Sequence, residues 1–162
     1  MPARILLLFA LLTLPLAAAA PEYPKMGPDI YDPKADGKAQ IVTALAKAAA
    51  SKKHVLLMFG ANWCSWCHRL HATFEKDPNV AKSLRENFEV VLIDVNTRNG
   101  TKRNADVDAR YGHPISNGLP VLVILDRKGK QLTTQETGAL EDGDRHSPKK
   151  VLAFLDRWKP GK

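Results

Sequence analysis

Three near-continuous apolar runs, residues 54–59, 90–95 and 121–125, set the limits on what this chain can become. Such a run marks a strand buried on both faces, so the sheet they build needs cover on each side. Directly behind the first run stands Trp63-Cys64-Ser65-Trp66-Cys67-His68, which holds both cysteines of the 162-residue chain. A Cys-x-x-Cys pair can shuttle two electrons, hold a metal ion or anchor a haem.

The segments between the runs read as helices. Ile41, Leu45 and Ala49 recur at helical spacing over residues 40–53, and Leu70 and Phe74 lie four apart behind the cysteines, so the pair opens a helix. Asp77-Pro78 supplies an N-cap and a proline at the first helical position. Val80, Leu84 and Phe88 then share one face of the helix that follows. A short helix is expected over residues 106–111, ended by Gly112. Residues 126–130 turn the third run into a fourth strand at 131–137, making a hairpin. Ser147-Pro148 begins a last helix with Val151, Phe154, Leu155 and Trp158 on its apolar face. The order is α-β-α-β-α-β-β-α, with no repeat and no second domain.

Residues 1–19 read as a signal peptide. Arg4 gives a short positive region, residues 5–16 an apolar one, and residues 17–20 a run of alanines with cleavage expected after Ala18 or Ala19. The apolar run is shorter than the roughly 20 residues of a membrane span. Residues 20–38, rich in Pro, Gly and Asp, form an extended lead-in, and residues 39–160 one domain. A chain of that size buries enough surface to stand without a staple, and a bridge closing so short a loop would add little. Two cysteines in an oxidising compartment without a stapling role point to redox chemistry. The net charge of +7 comes from scattered Lys and Arg without interleaved aromatics. A solvated basic surface follows, and nucleic acid is not an expected partner.

The element order around Trp63-Cys64-Ser65-Trp66-Cys67 resembles the thioredoxin superfamily over residues 40–158. Gly118-Leu119-Pro120, immediately before a strand and hairpin, matches that family's cis-proline loop, and Arg110-Tyr111-Gly112 is similar to the segment leading into it. The resemblance implies an α/β thioredoxin fold, a central mixed sheet of about four strands flanked by helices on both faces. It further implies that Pro120 is cis and lies against the cysteines, with Leu119 presenting backbone groups to a substrate strand.

A helix start offers free N–H groups and the positive end of the macrodipole, which favour a thiolate. Cys64, at that start, is expected to be the exposed nucleophile, and Cys67, one turn in, the buried resolving sulfur. Trp63 and Trp66 flank the nucleophile and are expected to bind substrate with Leu119 and Pro120, Trp63 also packing and Trp66 docking from the surface. Three departures from the family pattern stand out. Ser65-Trp66 replaces Gly-Pro between the cysteines, Met58 replaces the buried acid six residues before the first cysteine, and residues 113–117 lengthen the approach to the Gly-Leu-Pro loop.

Two other readings use the same residues. Cys64-Ser65-Trp66-Cys67-His68 is a literal c-type haem motif, with His71, His113 or His146 as a second axial ligand. Cys64, Cys67, His68 and His71 also supply ligands for zinc or copper, although Cys67 and His68, being adjacent, cannot both turn to one ion with Cys64. The expectation favoured by the strands and the Gly-Leu-Pro loop is an exported, periplasmic thiol–disulfide oxidoreductase. It acts on protein disulfides or dithiols as a reductase or isomerase more than as an oxidase. It needs no metal and no cofactor beyond the cysteines, works as a monomer, and draws on a membrane electron donor where one is coupled.

Overall fold

The computed structural model describes residues 26–100 and 102–161; the expected signal peptide at 1–19 and the first part of the lead-in lie outside them. Among the described residues, five α-helices, α1 (Gly37–Ser51), α2 (Ser65–Lys76), α3 (Pro78–Asn87), α4 (Ala105–Arg110) and α5 (Pro148–Trp158), surround a four-stranded sheet. Its strands are β1 (His54–Gly60), β2 (Phe88–Asp94), β3 (Val121–Leu125) and β4 (Gln131–Glu136), in the order β2-β1-β3-β4. β1 runs parallel to β2 and antiparallel to β3, and β3 pairs antiparallel with β4, so the sheet is mixed.

The apolar run of β1 is explained by its two faces. Leu56 and Met58 join α2, α3 and α5 through Cys67, Leu70, Val80, Leu84, Phe154 and Leu155. Val55, Leu57 and Phe59 face the other way, onto Ile41, Ala44 and Ala48 of α1 and Val107 of α4. Alternate side chains of one strand thus enter two separate cores, and every position of the run must be apolar.

Three local features differ from the sequence expectation. Phe88, spaced as the last apolar residue of a helix face, instead opens β2, which spans Phe88–Asp94 rather than 90–95. Its side chain still enters the α2–α3–α5 core, so the helical spacing reported burial and not conformation. Helix α1 starts at Gly37, capped by Asp36 Oδ1, which accepts from the N–H groups of Lys38 and Ala39. A small hairpin, β5 (Glu141–Asp142) and β6 (Arg145–His146), precedes α5 and has no apolar alternation to announce it.

Candidate redox site

The chain turns from β1 into α2 over residues 61–64, with the Cys64 N–H donating to the Ala61 carbonyl at 2.9 Å. Cys64 is the N-cap of α2, in extended backbone, and its Sγ accepts the Cys67 N–H at 3.1 Å. The sulfur therefore occupies the place of a capping oxygen, where unpaired N–H groups and the helix dipole favour negative charge. No acidic residue in the first turn of α2 offsets that field. Cys64 and Cys67 are joined as a disulfide, their Cα atoms 5.2 Å apart. Cys64, expected to be exposed, is itself buried and keeps 5% of its surface, because it sits on the groove floor as the cap of α2; Cys67 keeps none.

A groove of about 380 Å³ passes over Cys64, with Trp63, Trp66, Arg98, Ile115 and Leu119 in its walls. Trp63 donates its Nε1–H to Asn96 Oδ1 at 2.8 Å, and the Arg98 guanidinium lies 3.7 Å from its ring centroid. Trp66 stands edge-on to His146 at 5.4 Å, with Arg69 4.6 Å from its ring. The two tryptophans are both half-buried, so the expected contrast between a packing Trp63 and a surface Trp66 does not hold. Each carries an arginine on its face, and Arg98 is the one that also lines the groove.

The far wall is the loop before β3. The Leu119–Pro120 peptide bond is cis. Pro120 is buried, and its carbonyl accepts the Thr137 hydroxyl at 2.6 Å; Gly118 and Leu119, not Pro120, line the groove. Gly118 has φ +97°, a conformation an L side chain rarely adopts. Residues 113–117 bring Ile115 to the groove. The buried Asp108 pins them, its carboxylate meeting His113 Nδ1 at 2.9 Å and accepting the Ile115 N–H at 3.2 Å.

Sequence reading missed the residues that hold the site from behind. Asn62 Oδ1 accepts the N–H groups of Ile30 (3.0 Å) and Tyr31 (2.8 Å), and its Nδ2–H donates to the Tyr31 carbonyl (2.9 Å). This clamp draws the lead-in under the active-site turn and makes Tyr31 a core residue, 2% exposed. Asp94, at the end of β2 beside Gly60, is buried and paired with Arg103 at 2.9 Å. The lead-in's Pro, Gly and Asp content masked Tyr31, and one aromatic in such a stretch carries no periodicity. Asn62, two residues before Cys64, was visible only as part of the motif.

The histidines near the pair are engaged elsewhere. His68 Nε2 lies 2.9 Å from the Asn62 carbonyl, and His71 Nδ1 3.5 Å from Glu75 Oε2. Among the described residues, no three His, Cys, Asp or Glu side chains converge as metal ligands would. His146 is fully buried and its ring nitrogens have no partner among the described residues; burial, and secondarily Arg69, lower its pKa to about 4.

Residues 37–127 match the family model described as thioredoxin-like. The disulphide isomerase of Xylella fastidiosa Temecula1 is 33% identical and superposes with a TM-score of 0.69, over 79% of this chain and 95% of that one. The C-terminal domain of Neisseria meningitidis DsbD in its oxidised form shares the fold at 19% identity, with a TM-score of 0.54 over 76% of this chain and 96% of that one. A thioredoxin from Thermus thermophilus does so at 24% identity, with a TM-score of 0.52 over 72% and 81%. No curated protein matches the chain. With a disulfide at a helix start on the floor of a groove, a matching family model and a relative of this kind, the chain belongs to the thioredoxin-like family and is a thiol–disulfide oxidoreductase.

Proposed function

We propose that this protein is exported to the periplasm and exchanges disulfides with protein substrates there, as a reductase or isomerase rather than an oxidase. The observation that carries the reading is the asymmetry of the pair: Cys64 caps α2 at the floor of the groove, and Cys67 is wholly buried behind it. Cys64 is the nucleophile, its thiolate favoured by the Cys67 N–H and the helix start. Cys67 resolves the mixed disulfide. Trp63, Trp66 and Leu119 bracket the substrate strand, with Pro120 behind them fixing the loop. The alanine-rich end of an apolar, Arg4-led segment supports export. The similar isomerase of Xylella fastidiosa supports the direction.

Equilibration with glutathione tests the direction. A potential between that of thioredoxin, about −270 mV, and that of disulfide isomerases, about −180 mV, is expected, below the strong oxidants' about −120 mV. In the same assays Cys64→Ser should abolish insulin reduction while keeping the far-UV spectrum. An oxidant's potential, or activity retained in Cys64→Ser, would overturn the reading.

A further inference from the structure

The exchange as described makes no use of one buried polar group beside the cysteines, the Tyr31 hydroxyl. Tyr31 is 2% exposed, and its Oη has no hydrogen-bond partner among the described residues. A buried hydroxyl without a partner is worse than the apolar ring alone, so its retention calls for a reason.

Its position supplies one. A Cβ added to Gly60 would lie 2.1 Å from Tyr31 Oη and 2.6 Å from Cys67 Sγ. Phenol and sulfur therefore both border the space over the bare Cα of Gly60, the one residue type that leaves them room. Asn62, two residues before Cys64, holds the backbone of Ile30 and Tyr31 there through three hydrogen bonds, two of them to Tyr31. On the strand below Cys67, Met58 offers no acid or hydroxyl.

We propose that Tyr31 donates a hydrogen bond to the Cys67 thiolate when the disulfide opens, and so tunes the resolving sulfur. The inference rests on the reading of Cys67 as that sulfur. In the disulfide neither sulfur carries charge, and the hydroxyl is unpaired. In the mixed disulfide, Cys64 Sγ is bonded to one substrate sulfur and Cys67 is a thiol. Cys67 gives up its proton to solvent, and its thiolate attacks Cys64 Sγ. The Cys64–Cys67 bond forms, the bond from Cys64 to substrate breaks, and the substrate sulfur leaves as a thiolate that takes a proton from solvent. The cysteine pair is oxidised by two electrons and the substrate disulfide reduced by two. Tyr31 keeps its proton throughout. Burial and the nearby Asp94 carboxylate, itself held by Arg103, raise the phenol's pKa far above its usual range. It can therefore donate to a thiolate but not ionise in its place.

Tyr31→Phe keeps the ring and removes the donor. With reduced protein and a model disulfide substrate, quenching with acid should show the mixed disulfide accumulating. Resolution should be about tenfold slower at neutral pH and recover as pH rises, because the Cys67 thiol ionises later. The denaturation midpoint of the oxidised form should stay level or rise, since an unsatisfied hydroxyl is gone. A resolving rate and pH profile equal to the parent's would overturn the proposal, as would a falling midpoint, which would mark a packing role alone. Cys67→Ser separates this from the underlying assignment. If that variant fails to trap the mixed disulfide, the assignment of Cys67 falls; if it traps and Tyr31→Phe resolves normally, the Tyr31 proposal alone falls.

Discussion

Gly60 shows how one residue can decide whether the redox site assembles. Its backbone needs no left-handed conformation; what it provides is the absence of a side chain where Tyr31 and Cys67 converge. Neither neighbour can give way. Tyr31 is clamped by Asn62, and Cys67 is tied to Cys64 and packed under α2. Gly60→Ala should therefore cost about 2 kcal/mol in urea unfolding, the scale of overpacking in a close-packed core. It should also make the 30–31 segment accessible to proteolysis. A stability loss within a few tenths of a kcal/mol, with the segment still protected, would contradict this account. Chemistry at the residue scale was partly legible beforehand: two cysteines three apart behind a buried strand, with Gly118-Leu119-Pro120 downstream, point to a redox pair. Tyr31, 33 residues upstream of Cys64 in a stretch rich in turn formers, was not.

Among the elements, the loop between α4 and β3 supplies one wall of the groove over Cys64. Residues 113–117 do not merely lengthen the approach to Pro120. Pro114–Asn117 forms a single 3₁₀ turn, and Asp108 fixes both its start and Ile115 at the groove. Removing that carboxylate leaves the Ile115 N–H without its partner and frees the loop. Asp108→Ala is expected to cost about 1–3 kcal/mol in stability. In kinetics it should raise KM for a folded protein disulfide more than for a small disulfide that touches only the sulfurs. Equal changes for both substrates would remove the loop from the substrate path. The sequence displayed the extra residues, but no local pattern showed which side chain would anchor them.

For the whole molecule, α2, the β5–β6 hairpin and the active-site aromatics are joined through His146. This imidazole is fully buried against Trp66, and its pKa is lowered from 6.5 to about 4, first by burial and then by Arg69. A histidine whose folded pKa lies below its unfolded value takes up its proton more readily on unfolding. Stability contributed by keeping it neutral is complete above 6.5 and is lost as pH falls toward about 4. Unfolding midpoints measured across that range should therefore drop in the parent. In His146→Phe, which keeps the edge contact with Trp66, the drop should be shallower. Parallel curves for the two proteins would show that other groups carry the acid sensitivity.

Local sequence pattern carried the main helices and strands and, together with Gly118-Leu119-Pro120, the redox reading of the pair. Strands buried on both faces must be apolar at every position, helices must repeat every three or four residues, and a thiol at a helix start is an activated one. Those are local constraints, written where they act. What surrounds the sulfurs follows instead from how the elements pack. The Asn62 clamp, the approach of Tyr31 and Cys67 to Gly60, the Asp108 anchor and the burial of His146 each join residues from separate elements, or from elements to the loops that flank them. Such contacts depend on how faces come together in space. No periodicity records a single polar side chain placed against a partner far along the chain.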